Sequence, residues 1–143
     1  MTSRAISAAL ALFLLSGIAA ATGPPAEEDQ IAARVFPPEL VMKHDDQIGL
    51  TDRQRDAIKA EIQESQGKFI GYQWQMQKHA GRLVSLLEAR PVDEGKVLSA
   101  ADAVMRLEVD VKKTHLTMLV RIKNILTPDQ QDRLEQLRGP AGK

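Results

Sequence analysis

The stretch IGLTDRQRDAIKAEI, residues 48–62, contains the pentapeptide LTDRQ. A second pentapeptide of the same pattern, LTPDQ, occupies residues 126–130. Each stands immediately ahead of a run that is free of proline and rich in helix-forming residues. A capping signal in that position predicts the start of a helix, so the repeated pattern predicts two helix starts at distant points of the chain.

The repeated residue types have a direct role at a helix start. A threonine at the N-cap accepts a hydrogen bond from the backbone N–H three residues on, and a glutamine at that position returns one to the threonine N–H. The preceding leucine can pack on a neighbouring helix. The residues that carry the pattern are Leu50, Thr51 and Gln54 in the first copy, and Leu126, Thr127 and Gln130 in the second.

The prolines divide the chain into helical segments. Proline in a helix interior costs about 3 kcal/mol, so the two long proline-free runs predict long helices. No segment alternates apolar and polar residues as a half-buried strand does. The sequence therefore predicts an all-α fold with four helices. They run from Pro38 to Gly49, from Asp52 to about Ala89, from about Glu94 to Ile125, and from Pro128 to about Arg138, closed by Gly139 and Pro140.

Both long helices carry apolar residues at the alternating spacing of a packing seam. The first seam comprises Ile58, Ile62, Ser65, Phe69, Tyr72, Met76, His79, Leu83 and Leu86, and the second comprises Val97, Ala100, Val104, Leu107, Val111, Thr114, Met118, Ile122 and Ile125. A tight turn around Pro91 joins them, which predicts an antiparallel hairpin with arms roughly 50 Å long. Such an arm buries only one side of itself, so we expect a homodimer, intertwined or cradle-like.

The N-terminal residues 1–21 are typical of a cleavable signal peptide. Arg4 supplies the positive end, an apolar run of about 16 residues follows, and small residues precede the expected cleavage point. That run is shorter than the roughly 20 residues that span a bilayer, so we expect no stable membrane anchor after cleavage. Export predicts a periplasmic location, with residues 22–36 as a flexible lead-in, 37–138 as the helical-hairpin domain and 139–143 as a tail.

Composition excludes several classes of function. The 19 basic and 19 acidic side chains leave a net charge of about −1 once Arg4 is removed, without a basic stripe, so no nucleic acid is expected as a partner. Cysteine is absent, so the fold holds without disulfides. The sequence has no phosphate-binding loop, nucleophile elbow or paired acid and base, and we expect no catalytic residues and no required cofactor.

An apolar pair stands off the seam of the second helix. Ile70 and Trp74 lie one turn apart, and an exposed apolar pair of this size usually marks an interface. Two interpretations remain open: this surface binds a client protein, or it is covered by a dimer mate or the short helices. Gly67, Gly71 and Gly81 in the same helix indicate either close helix approach or a pliable arm.

The signal peptide, the missing cysteines, the hairpin and the two Leu-Thr-x-x-Gln motifs together resemble the Spy/CpxP family of bacterial periplasmic proteins. The resemblance covers about residues 38–138. It implies a cradle-shaped antiparallel dimer that binds unfolded client proteins without ATP, or that restrains a membrane sensor kinase in envelope stress. The nearly neutral charge departs from the basic face of family chaperones, and it favours apolar contact through residues such as Ile70 and Trp74.

Related periplasmic metal sensors and metal-resistance proteins share the four-helix plan, so heavy-metal binding is a competing function. Proteins of that branch draw ligands from a first-helix histidine, a second-helix glutamate, and a third-helix histidine and methionine. The hairpin register places His115 and Met118 within a turn of Glu64, and the first helix can fold back toward them. The weak candidates for a nickel, cobalt, copper or zinc ion are therefore His44, Glu64, His115 and Met118.

Overall fold

The computed structural model describes residues 27–139, with side chains from residue 30 onward. The predictions for residues 1–21, for residues 22–26 of the lead-in and for residues 140–143 lie outside the described residues. Within residues 27–139 all regular structure is helical, and no strand is present. The helices are α1 Glu27–Ala32, α2 Pro38–Lys43, α3 Asp45–Ile48, α4 Asp52–Leu87, α5 Glu94–Ile125 and α6 Pro128–Leu137.

The all-α prediction is confirmed, but the count of four helices is wrong, because the described residues form six. The expected first helix divides at His44, whose φ of −114° and ψ of 18° leave the helical range. Lys43 ends α2, while Asp45 and Asp46 open α3. A cation at a helix C-terminus and carboxylates at an N-terminus both favour such ends electrostatically. The extra helix α1 lies in the expected lead-in.

The two long helices pack on each other along the predicted seams. All eighteen seam residues are buried or half-buried. Cross-arm hydrogen bonds confirm the antiparallel arrangement: the Tyr72 and Thr114 hydroxyl oxygens are 3.1 Å apart, and the Arg121 guanidinium lies 3.1 Å from the Glu61 carboxylate. The helix ends at Leu87 and Glu94 agree with the expected bounds within the usual uncertainty.

The core lies at the open end of the hairpin, away from the turn. There α2, α3 and α6 fold over the start of α4 and the end of α5, and the fully buried side chains are Phe36, Val41, Ile58, Ile122 and Leu134. Toward the turn only α4 and α5 pack on each other, and their seam residues are mostly half-buried. The fold therefore has one well-packed end and a long projecting arm.

The described part of the expected lead-in packs on this core. Phe36 is 1% exposed, and the Arg138 guanidinium donates to the backbone oxygens of Ala33 and Val35 and lies 5.0 Å from the Phe36 ring centre. Lys123 donates to the backbone oxygen of Arg34 at 2.6 Å. Two adjacent apolar residues, Val35 and Phe36, anchor the segment. Adjacent residues do not have the spacing of a helix face, so a search for helical periodicity does not detect them.

Local backbone geometry at the helix ends follows the residue types. Gly49 ends α3 with φ of 66°, and Gly139 follows α6 with φ of 77°. Both lie in the left-handed region, where glycine is the residue of least strain and commonly ends helices. None of the described helices is long and apolar enough to cross a membrane.

Candidate functional site

Both repeated pentapeptides form the predicted capping boxes at the open end of the hairpin. The Thr51 hydroxyl accepts from the Gln54 N–H at 3.2 Å, and the Thr51 N–H donates to the Gln54 side-chain oxygen at 3.1 Å. Thr127 and Gln130 make the same two bonds at 3.3 and 2.9 Å. The leucines that precede the caps are buried in the core. The structural prediction for the motif is therefore confirmed.

The two motifs also bind each other, which the capping argument did not predict. The Gln54 amide donates to the Gln130 side-chain oxygen at 2.8 Å, and the Gln130 amide donates back at 3.1 Å. The same amide groups reach two backbone oxygens, Gln54 to Ile125 at 2.9 Å and Gln130 to Gly49 at 3.2 Å. We call Gln54 and Gln130 the glutamine latch.

The latch joins four helix ends in one small polar cluster. It connects the ends of α3 and α5 to the starts of α4 and α6. Gln130 is only 8% exposed, and among the described residues no buried side-chain polar atom lacks a partner. The hairpin predicted from the sequence places the two motifs near each other, because the start of one arm lies beside the end of the other, but it does not show that the two amides bind. The repeated motif thus has a structural role at this end of the fold.

The outer face of α4 presents the apolar pair to solvent. Ile70 is 59% and Trp74 69% exposed, and both point away from α5. Four exposed glutamines share this face at three-, four- and seven-residue distances from Ile70: Gln63, Gln66, Gln73 and Gln77. The surrounding surface is thus rich in amide side chains, and the exposed Lys78, one turn after Trp74, adds a charge beside it. None of the described short helices covers the pair, so client binding and cover by a dimer mate both remain predictions.

The helical glycines do not serve close packing within the chain. A Cβ atom added at Gly67, Gly71 or Gly81 meets nothing within 4 Å. Gly67 lies three residues before Ile70, and Gly71 lies three residues before Trp74, on the side toward which helical side chains lean. The glycines therefore leave open backbone beside each large apolar side chain.

The four candidate metal ligands do not come together. His115 and Met118 line one cavity of about 420 Å³ between α2, α4 and α5. The His44 ring hydrogen-bonds to Gln47 at 2.6 Å, and His44 is not among the residues that line this cavity. Among the described residues, no three His, Cys, Asp or Glu side chains are close enough to hold a metal ion. The predicted four-ligand set is thus not assembled.

Glu64 belongs instead to an ion-pair cluster on the other side of the hairpin, where it lines a depression together with Met118 but without His44 or His115. Its carboxylate lies 2.5 Å from the Lys68 ammonium and 3.4 Å from the Arg121 guanidinium. The hydrogen bond and charge of Lys68, and then the charge of Arg121, hold the pKa of Glu64 below its usual value. A carboxylate engaged with two cations is a poor metal ligand.

The cavity contains a thioether that sequence reasoning missed. Met42 of α2 lines it together with His115 and Met118, so the fold-back of the first helical region brings a methionine to the cavity in place of His44. Two thioethers are soft ligands that suit Cu(I), and imidazole also binds copper. The Glu39 carboxylate, a harder ligand, lines the same cavity. Only the tertiary structure shows that Met42 lies at this cavity, because its spacing in the sequence does not mark it as a candidate ligand.

Comparison with known proteins identifies the family of the chain. A sequence model of the heavy-metal resistance proteins matches residues 6–133. The chain belongs to this heavy-metal resistance family. The match confirms the resemblance to Spy/CpxP-like proteins with the Leu-Thr-x-x-Gln motif. No curated protein and no solved structure matches the chain. Membership in the heavy-metal resistance family is compatible both with chaperones and with metal sensors, and it does not distinguish between them.

Proposed function

We propose that this member of the heavy-metal resistance family is an ATP-independent periplasmic chaperone or envelope-stress adaptor. The observation that carries the proposal is the exposed pair Ile70 and Trp74 on a glutamine-rich face of α4. Unfolded polypeptides expose apolar side chains and unpaired backbone groups. An apolar pair flanked by amide side chains can bind both.

The geometry of this face suits an unfolded client better than a small molecule. The face is convex along a single helix, whereas small-molecule sites are concave and bury most of their ligand. A Cβ atom added at either glycine beside Ile70 and Trp74 would meet open space, so an extended segment can approach α4 closely there. Burial of exposed apolar surface is the driving force, at about 25 cal/mol for each Å² removed from water.

The aggregation of a reduced or heat-denatured client protein tests this proposal. Equimolar protein should suppress light scattering without nucleotide, and Ile70→Ala with Trp74→Ala should weaken the suppression several-fold. Val84→Ala with Leu87→Ala is the matched control, because these residues are 47% and 53% exposed on the same helix. The control should behave as the wild type.

The single tryptophan gives a direct measure of binding. Trp74 is the only one in the chain, so its fluorescence reports this face alone. A client without tryptophan should shift its emission to shorter wavelength as the indole leaves water. If the wild type neither suppresses aggregation at any ratio nor shows this shift, the chaperone proposal is wrong.

Heavy-metal binding is the second candidate function, favoured by the cavity that holds Met42, His115 and Met118. Titration calorimetry with nickel, cobalt, zinc and copper, the last as Cu(I) under reducing conditions, should show copper binding tightest. His115→Ala should abolish that binding, while His79→Ala, a seam histidine, should leave it unchanged. The candidate is eliminated if no ion binds tighter than about 10 μM.

A further inference from the structure

A cavity lies between the two long helices near the turn of the hairpin. Its volume is about 280 Å³, and its polar lining consists of His79 and Arg82 from α4 and Lys96 and Ser99 from α5. We call it the tip cavity. The exposed apolar pair on α4 and the cavity that holds Met42 include none of these residues, so their role is independent of both proposed functions.

Small residues of α5 leave the space for the tip cavity. Gly95, Ser99 and Ala103 recur every four positions and therefore share one face of the helix. On α4, His79 and Arg82 lie three positions apart and share the face that borders the same cavity. Because the α5 side chains are short, the longer side chains of α4 can reach the space beside them.

All four polar side chains of the tip cavity are hydrogen-bond donors. Arginine offers five N–H groups, lysine offers three, and serine and a neutral histidine offer one each. Arg82 and Lys96 also carry positive charge, and no Asp or Glu is among the described residues that line the cavity. Such a lining favours an anion that presents several acceptor oxygens.

This excess of positive charge is not general along the arms. A depression farther along α5 is lined by Asp102 and Asp110 as well as by Arg106 and Lys113. The depression around Glu64 also contains side chains of both signs. In those two places acidic and basic side chains offset one another, whereas the tip cavity leaves its positive charge available to a ligand.

Lys96 forms an ion pair beside the tip cavity. Its ammonium lies 3.3 Å from the Asp93 carboxylate, and the two side chains are 70% and 54% exposed. An ion pair so exposed to solvent contributes little. The ammonium has three N–H donors, so Lys96 can keep its bond to Asp93 and still bind a ligand in the cavity.

We propose that the tip cavity binds a phosphate group. The planar guanidinium of Arg82 can donate to two oxygens of one phosphate, and Lys96 supplies a second charge. The Ser99 hydroxyl and the His79 ring then donate to the remaining oxygens. A carboxylate presents its two oxygens in one plane, whereas a tetrahedral phosphate directs oxygens toward both helices at once, as donors on α4 and α5 require.

Histidine NMR tests the binding of inorganic phosphate. The chain has three histidines, and His79 is the one that lines the tip cavity. At constant pH and ionic strength, phosphate should shift the ring signals of His79 saturably, with a dissociation constant below about 1 mM. The signals of His44 and His115 should stay in place. Equal shifts of all three histidines, or a dissociation constant above this value, would overturn the proposal.

Substitutions test whether the cavity or the net charge attracts phosphate. Arg82→Gln should raise the dissociation constant by about fivefold or more, because it removes the forked donor. Arg106→Gln is the matched control, since it removes the same charge from α5 outside the tip cavity, and it should have no effect. Ala103→Leu fills the space without a change of charge and should also weaken binding. Equal effects of Arg82→Gln and Arg106→Gln, at equal helix content by circular dichroism, would overturn the proposal.

Phospholipid vesicles distinguish two sources of the phosphate group, the free ion and a lipid headgroup. Co-sedimentation of the wild type, but not of Arg82→Gln, with phosphatidylglycerol vesicles would assign the group to a lipid. Binding of inorganic phosphate without co-sedimentation would assign it to the free ion. The absence of both interactions would overturn the proposal.

Discussion

At the scale of single residues, Gln130 is where the two pentapeptides meet. It caps α6, exchanges hydrogen bonds with Gln54 and donates to the Gly49 backbone oxygen, all while nearly buried. Gln130→Ala leaves the Gly49 oxygen and part of the Gln54 amide unpaired, so we expect the free energy of unfolding to fall by about 1–3 kcal/mol. Gln136→Ala, an exposed position on the same helix, should change it by less than about 0.5 kcal/mol. Urea denaturation measures both, and equal effects would mean that the glutamine latch adds nothing to stability.

At the scale of elements, the ion-pair cluster links the arms beside the seam. The pKa of Glu64 is lowered from 4.5 mainly by Lys68, its neighbour one turn on, and less by Arg121 on α5. Because the folded-state pKa is depressed, the contribution of Glu64 to stability is present above its ordinary pKa and is lost as the pH falls through the lowered value. The effect on stability is small, since these side chains are about half exposed to solvent. An NMR titration should show that Lys68→Met raises the pKa of Glu64 more than Arg121→Met does. If Arg121→Met raised the pKa of Glu64 more than Lys68→Met, the contact between the two long helices would be the larger cause of the shift.

At the scale of the whole molecule, stability and exposed apolar surface lie in different places. The core and the glutamine latch occupy the open end, whereas the arm carries Ile70 and Trp74 on α4 and other exposed apolar residues, among them Met105 and Val109, on α5. If the homodimer expected from the sequence forms through these residues of α5, it is more stable than its separated chains by mass action. The melting temperature of the wild type should then rise with protein concentration, while that of Val109→Asp should not. A wild-type melting temperature that is independent of concentration would contradict the dimer.

The sequence by itself determined the helical class, both long helices, the seam residues and the two capping boxes, because periodicity, proline positions and cap chemistry are local signals. It also predicted the exposure of Ile70 and Trp74, since both fall off the seam. The tertiary structure alone decided the mutual binding of Gln54 and Gln130 and the packing of Phe36 under Arg138. It also separated Glu64 from His115 and brought Met42 to the cavity instead. These features depend on which distant segments come into contact and on which group each polar side chain binds. The spacing of residues along the chain does not determine either.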